Sequence, residues 1–149
     1  MLEHMHANLI AINGKGVLIS GPSGSGKTLL ALHLFRRCYH ASIDVCWIAD
    51  DQVVLEMRDK QLIGTAPSTI KGKIEIRGFG IVDAPLPQLQ SVPVSLHISL
   101  EPETKMVRMW DGQMTNISGV EVRTLALSTA NVEAAGNAVL AMLGHPIWI

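Results

Sequence analysis

The segment Gly21-Pro22-Ser23-Gly24-Ser25-Gly26-Lys27-Thr28 fits the phosphate-binding pattern G-x-x-x-x-G-K-[ST] at every position. It is the strongest indication of the fold in this sequence. The apolar residues 17–19 precede this phosphate loop, and an amphipathic stretch begins at its last residue. A strand, a glycine-rich loop and a helix therefore follow one another in the order that phosphate binding requires. A plain turn between strand and helix is the alternative, but such a turn has no need of Lys-Thr after its last glycine.

The chemistry of the phosphate loop follows from its backbone. Gly21, Gly24 and Gly26 can adopt angles that turn successive N–H groups inward, and the following helix adds the positive end of its dipole. Lys27 is expected to reach the β- and γ-phosphates of the ligand, and the Thr28 hydroxyl is expected to hold Mg²⁺. The sequence therefore predicts a polyphosphate-binding site.

Composition limits the class of protein. The 149 residues are 48% hydrophobic, which predicts a single domain over 1–149 with a substantial core. A net charge of −1 argues against nucleic acid and anionic membranes as partners. Residues 1–6 do not resemble a signal peptide, and no apolar stretch is long enough to span a bilayer. Cys38 and Cys46 have no metal-ligand spacing, so we expect buried thiols in a reducing cytoplasm.

Hydrophobic periodicity predicts an α/β fold, with a mixed sheet and few helices. Strands are predicted at 7–12, 16–20, 45–49, 52–57, 61–65, 73–77 with a resumption at 81–83, and 94–100. Helices are predicted at 28–37 and 132–143, and three prolines make 84–93 an irregular loop. The apolar side chains near the end of the chain are interpreted as core or interface groups: Met106, Met109, Trp110 and Trp148.

Two carboxylates stand at the end of the predicted strand 45–49. Ligands collect at the carboxyl ends of parallel strands, so Asp50 and Asp51 are candidates for magnesium binding and for proton abstraction from a hydroxyl. Alternation along a strand predicts that they point to opposite faces, whereas an ordinary Asp-Asp turn is the competing interpretation. Glu75 and Arg77 share one face of the predicted strand 73–77, where they could contact Mg²⁺ and phosphate or form an exposed salt bridge.

Several segments together resemble the catalytic domain of bacterial HPr kinase/phosphorylases. They are His6-Ala7-Asn8-Leu9, the phosphate loop, Ile48-Ala49-Asp50-Asp51, Leu62-Ile63-Gly64-Thr65-Ala66-Pro67 and Ile74-Glu75-Ile76-Arg77-Gly78-Phe79-Gly80-Ile81-Val82-Asp83. The order of the segments matches the family as well, and residues 6–83 carry the resemblance. The family also resembles the phosphate-binding core of phosphoenolpyruvate carboxykinases.

The resemblance implies a role for each matching residue. Lys27 is the phosphate-binding lysine, Asp51 is the base that deprotonates a seryl hydroxyl of HPr, and His6 falls at a functional histidine. Thr28, Asp50 and Glu75 are implied as magnesium ligands. Arg77 belongs to the same catalytic segment. The alternative interpretation of His6 is an ordinary surface histidine. Arg108 is the candidate for a later active-site arginine of the family, and the alternative for it is a solvated arginine at a strand end.

The resemblance further implies ATP and Mg²⁺ as cofactors, an HPr-type phosphocarrier as partner, and a homo-oligomer, since most members are hexamers. It corresponds to the short proteobacterial form, without the N-terminal domain of longer members and with a shortened C-terminal end. The segment that the family uses for dephosphorylation has no counterpart at 125–131, which leaves phosphorylase activity open. A small-molecule kinase or nucleotide hydrolase, and a nucleotide-sensing module with little turnover, are the alternative functions.

Overall fold

The computed structural model describes residues 2–149 and places eleven strands and two α-helices within them. The strands are β1 (Leu2–Met5), β2 (Ala7–Ile12), β3 (Lys15–Ser20), β4 (Val45–Ala49), β5 (Val53–Arg58), β6 (Gln61–Thr65), β7 (Lys73–Ile76), β8 (Gly80–Asp83), β9 (Ser91–Leu100), β10 (Met114–Ile117) and β11 (Val120–Leu127). The helices are α1 (Lys27–His40) and α2 (Val132–Met142). This mixed α/β architecture confirms the predicted fold class.

Nine strands form one curled sheet, while β7 and β8 form a separate hairpin. Seven of the nine follow the order β1-β5-β6-β9-β3-β2-β4, and off this path β11 pairs with β9 and β10 pairs with β11. The long strand β9 joins the parts of the sheet, since its first residues pair with β6 and its later residues pair with β3 on one edge and β11 on the other. The pairs β3–β9 and β9–β11 are parallel, whereas β2 is antiparallel to both β3 and β4. Strands β3, β4, β9 and β11 therefore all run in the same direction.

The hairpin before the phosphate loop fixes the position of β3. Asn13 and Gly14 have φ angles of 52° and 76°, the left-handed pair that a tight two-residue turn requires. All six residues of β2 are buried, as are residues 16–19 of β3. The strand that leads into the phosphate loop is therefore packed on both faces and rigidly placed.

Two apolar clusters lie on the two sides of the sheet. Helices α1 and α2 cover one side, where Leu30, Leu34 and Trp47 are almost fully buried. Curling of the sheet closes the other cluster around Leu9, Leu18 and Leu55. The two helices approach closely at Gly136, where an added Cβ would lie 2.8 Å from the His33 ring.

Two local predictions are wrong, and a third loses one of its two alternatives. Strand β7 ends at Ile76 and the chain reverses through Gly78, which has a φ of 89°, so residues 81–83 form the return strand of a hairpin rather than a continuation. The irregular loop ends earlier than predicted, because β9 begins at Ser91. Met109 and Trp148 are 77% and 85% exposed, which excludes them from the core of this chain and leaves the interface interpretation as a prediction.

Candidate active site

One edge of the large sheet gathers nearly all the predicted site residues. Because β3, β4, β9 and β11 run the same way, their carboxyl ends meet at this edge, and the amino end of antiparallel β2 lies among them. The phosphate loop follows β3, the Asp50-Asp51 pair follows β4, and His6 immediately precedes β2. Residues far apart in sequence therefore converge at the sheet edge where ligands bind in α/β proteins.

The phosphate loop ends in an uncapped helix start. Gly26 stands before α1 with a φ of 97°, no side chain caps the helix, and its first turn contains no acidic residue. A Cβ at Gly26 would lie 2.4 Å from the Thr129 hydroxyl, so both conformation and space demand glycine. The Ser25 hydroxyl is buried without a partner among the described residues. These free donors suit an anion, because the first N–H groups of a helix have no intrahelical acceptor.

Lys27 and Thr28 connect the loop to the two carboxylates. The Lys27 ammonium donates to the carbonyl oxygens of Gly21 and Pro22 at 3.0 and 3.2 Å, and lies 3.7 Å from Asp51 Oδ1. The Thr28 hydroxyl donates to Asp50 Oδ1 at 2.8 Å. Lys27 is therefore at the junction between the phosphate loop and Asp51.

Asp50 and Asp51 differ in environment rather than in strand face. Strand β4 ends at Ala49, so the predicted alternation to opposite faces is wrong, and both aspartates line the same cavity. Asp50 is 6% exposed and accepts the backbone N–H of Glu75 at 3.2 Å. The Asp51 side chain is 55% exposed, with a backbone φ of 66°, and contacts His6 Nε2. A buried carboxylate thus lies beside an accessible one.

The β7–β8 hairpin forms the opposite wall of this cavity of about 740 Å³. Glu75 and Arg77 line it together, and no ion pair between them is found in residues 2–149, which removes the salt-bridge interpretation. The other residues that line it are Ser23, Gly24, Gly26, Lys27, Thr28, Leu29, Asp50, Asp51, Ile76, Gly78, Phe79 and Gly80. Both predicted residues therefore face the phosphate loop.

The oxygen atoms near Thr28 fit a magnesium ion that is shared with a nucleotide. The Thr28 hydroxyl and the Asp50 carboxylate are adjacent, and Glu75 adds a second carboxylate on the facing wall. Within the described chain, no group of three or more His, Cys, Asp or Glu side chains could hold a metal alone. Mg²⁺ is typically bound by one or two carboxylates together with substrate phosphates, so this donor set suits it.

Arg108 lies apart from these residues. It belongs to the loop between β9 and β10 and lines a second cavity of about 920 Å³, on the side of the phosphate loop where β9 and β11 end. The structure thus does not bring Arg108 next to Asp51, and its active-site role stays a prediction.

Sequence reasoning gave no role to Asn8, which organises the site. Asn8 is fully buried, and its amide group donates to Asp50 Oδ1 at 2.8 Å and to Thr28 Oγ1 at 3.2 Å. Its carbonyl oxygen accepts the backbone N–H of Asp51 at 2.9 Å. The only indication of this role in the sequence was a polar residue inside the apolar strand 7–12. A buried amide needs hydrogen-bond partners, so its position there implies polar neighbours.

Three titratable side chains outside the site, Cys38, Cys46 and His97, are buried. Burial raises the pKa of the Cys38 thiol to about 11 and also raises the pKa of the Cys46 thiol. Both cysteines are free and buried, which confirms the prediction of buried thiols. Burial lowers the pKa of His97, whose ring lies between the Ser20 and Thr124 hydroxyls.

The protein-family model of the HPr serine kinase C-terminal domain matches residues 2–137, which is most of the chain. The chain belongs to this family. The HPr kinase/phosphorylase of Limosilactobacillus reuteri (strain DSM 20016) is 41% identical over 130 residues, covering 80% of this chain and 39% of that protein. The HPr kinase/phosphorylase of Clostridium beijerinckii is 33% identical over 132 residues, covering 83% and 42%. Family membership confirms the resemblance.

A solved structure of this family supports the same architecture. The Hpr(Ser) kinase/phosphatase of Coxiella burnetii superposes with a TM-score of 0.74 at 29% identity, over 95% of this chain and 99% of that one. The chain spans about two fifths of the length of the curated relatives it matches. Among the described residues, no helix is long and apolar enough to cross a bilayer.

Proposed function

We propose that this protein transfers the γ-phosphoryl group of ATP to a seryl hydroxyl of an HPr-type phosphocarrier protein. The observation that carries the proposal is the position of Asp51, an accessible carboxylate 3.7 Å from the ammonium of the phosphate-loop lysine. Family membership supports the same activity. A carboxylate that contacts both a histidine and this lysine suits proton abstraction directly beside bound phosphate.

The proposed reaction uses Lys27 and Asp51 in turn. The backbone donors of the phosphate loop and Lys27 bind the phosphates and place the γ-phosphorus next to Asp51. The seryl oxygen forms a bond to that phosphorus, its proton moves to an Asp51 oxygen, and the bond to the β–γ bridging oxygen breaks to release ADP. His6 contacts the same carboxylate and keeps it oriented.

Magnesium, which Thr28, Asp50 and Glu75 would hold, supplies charge neutralisation at the phosphate oxygens. Arg77 adds a second positive charge on the cavity wall that faces the phosphate loop. Electrostatic stabilisation of this kind usually contributes most of the acceleration in phosphoryl transfer.

The exposure of Asp51 favours a protein acceptor over a small molecule. Its side chain is 55% exposed, so a hydroxyl carried on a folded surface can reach it without entering a closed pocket. Small-molecule kinases commonly close a lid that excludes water, and no arginine-rich lid segment is present in the sequence.

The proposal is tested by incubating the purified protein with HPr-type phosphocarriers and γ-labelled ATP. Asp51→Asn should bind ATP normally yet transfer label about 100- to 10,000-fold more slowly, because it removes a general base. Asp44→Asn, which changes an exposed aspartate before β4, is the matched control and should act like the unmodified protein.

Different results would contradict different parts of the proposal. Unchanged transfer by Asp51→Asn excludes Asp51 as the base. Label that appears only as free phosphate, or on small acceptors, would indicate a hydrolase or a small-molecule kinase. ATP binding without any turnover would indicate a nucleotide-sensing module.

A further inference from the structure

We infer that the second cavity, between the β9–β10 loop and α2, holds the purine base of ATP. This inference rests on the proposed use of ATP and adds the place where the nucleoside half binds. The cavity and its surrounding residues 103–113 and 124–142 are called the nucleoside flank. The transfer flank comprises the residues on the other side: His6, Asn8, Thr28, Asp50, Asp51, Glu75 and Arg77.

Strand order separates the two flanks. The carboxyl end of β3 carries the phosphate loop, with β9 and then β11 on one side of it and β2 and then β4 on the other. Ser128 follows β11 and Asp50 follows β4, so the two cavities open on opposite sides of the phosphate loop. A triphosphate in the loop therefore has one cavity at each end.

The geometry of transfer assigns the two cavities. Attacking and leaving oxygens lie roughly in line with the transferred phosphorus. Asp51, the proposed general base, places the attacking hydroxyl on the transfer flank. The leaving ADP therefore extends in the opposite direction. That direction leads across β9 toward β11, which is about 10 Å from β3 at two interstrand spacings.

The segment after β11 contacts the phosphate loop directly. The Thr129 hydroxyl donates to the Ser25 carbonyl at 2.5 Å, and Thr129 is the residue against which Gly26 packs. Ser128, Ala130 and Asn131 on either side of it line the second cavity. The nucleoside flank is therefore continuous with the phosphate site.

The lining has the chemistry of a base-binding pocket. Trp110 is 41% exposed at the cavity, and its indole N–H donates to the Thr124 carbonyl at 3.0 Å, which fixes the ring at one edge. Small side chains of α2, such as Ala134 and Ala138, leave room for a planar group. A volume of about 920 Å³ falls in the range of ligand pockets, and aromatic rings stack on bases of any identity.

Binding of MgATP and of magnesium tripolyphosphate, measured by titration calorimetry, tests the inference. Trp110→Ala should weaken ATP binding about tenfold and change tripolyphosphate binding less than about twofold, since only ATP has a base to stack. Trp148→Ala removes an exposed aromatic side chain that lines neither cavity, and serves as the matched control with unchanged affinity for both ligands. Phe79→Ala, which removes an exposed aromatic side chain from the lining of the first cavity, tests the opposite assignment.

A second variant controls for the case in which Trp110→Ala disrupts the β9–β10 loop. Ala138→Phe fills the cavity without removing the Trp110 hydrogen bond, and it should cause the same selective loss of ATP affinity. Equal binding of both ligands by the folded Ala138→Phe and Trp110→Ala variants overturns the inference. A selective loss of ATP affinity in Phe79→Ala instead places the base in the first cavity, which also overturns it. If neither ligand binds the unmodified protein, the proposed function itself fails.

Discussion

The two flanks of the phosphate loop consist of different types of side chain. On the transfer flank, Asn8, Thr28 and Asp50 form a closed set of hydrogen bonds between 2.8 and 3.2 Å. On the nucleoside flank, alanines and the half-exposed Trp110 surround an open cavity. Phosphoryl transfer depends on fixed positions, whereas stacking of a base tolerates variation. The comparison indicates that rigidity is concentrated where bonds change.

Among the variants that test this comparison, Lys27→Ala is expected to have the largest effect, since Lys27 lies between the flanks. Lys27→Ala should lower kcat/KM about 100- to 1000-fold and weaken ATP and tripolyphosphate binding together, because the ammonium contacts phosphate rather than base. Fluorescence titrations with both ligands check this result. Lys15→Ala, an exposed lysine at the start of β3, is the control. Loss of ATP binding alone would place Lys27 on the nucleoside flank.

A smaller effect, confined to the transfer flank, is expected from Asn8. Asn8→Ala leaves the Asp51 N–H without its acceptor and removes a donor from the buried Asp50 carboxylate, which should cost about 1–3 kcal/mol of unfolding free energy. Displacement of Asp51 should also lower kcat about 10- to 100-fold, with little change in tripolyphosphate affinity. Urea unfolding and label transfer measure the two effects.

Leu55→Ala separates stability from positioning in this experiment. Leu55 is fully buried in β5, outside both flanks, and its truncation should cost about 2–5 kcal/mol while the folded enzyme keeps its kcat. If Asn8→Ala likewise loses stability but retains full kcat, Asn8 supports the fold and does not position the site.

The sequence predicts the phosphate loop and the main strands because these depend on local patterns. Glycine spacing, the Asn13-Gly14 turn and the apolar runs are visible within a few residues. The role of Asn8 could not be predicted in this way, since its partners Thr28 and Asp50 are 20 and 42 positions away. The Arg77–Gly80 reversal was missed because a strand with one break and a hairpin share the same alternating pattern.

The nucleoside flank was missed for the same physical reason. The second cavity exists only because the β9–β10 loop, the end of β11 and one face of α2 meet in space. Small alanines in a helix are ordinary helix formers and carry no sign of a cavity. Trp110 was therefore interpreted from its apolar character alone.

The smallest expected effect concerns His97, which connects β3 to β11 beneath the nucleoside flank through the Ser20 and Thr124 hydroxyls. Because burial lowers the pKa of His97 in the folded chain, the unfolded chain binds more protons there just below pH 6.5. Its contribution to stability is therefore complete above about pH 6.5 and is lost as the pH falls toward the lowered pKa.

Urea unfolding between pH 7.5 and pH 5, conditions chosen to span the ordinary histidine pKa of about 6.5, measures this loss. His97→Gln should reduce the decline of the unfolding free energy by at most about 1.4 kcal/mol per pH unit, the limit for one proton. Part of the slope should remain, since burial also lowers the pKa of His33. His4→Gln, at an exposed position of β1, should leave the slope unchanged. Equal slopes for His97→Gln and the unmodified protein would mean that the ring is protonated without loss of its contacts, so that the link between β3 and β11 does not depend on neutral His97.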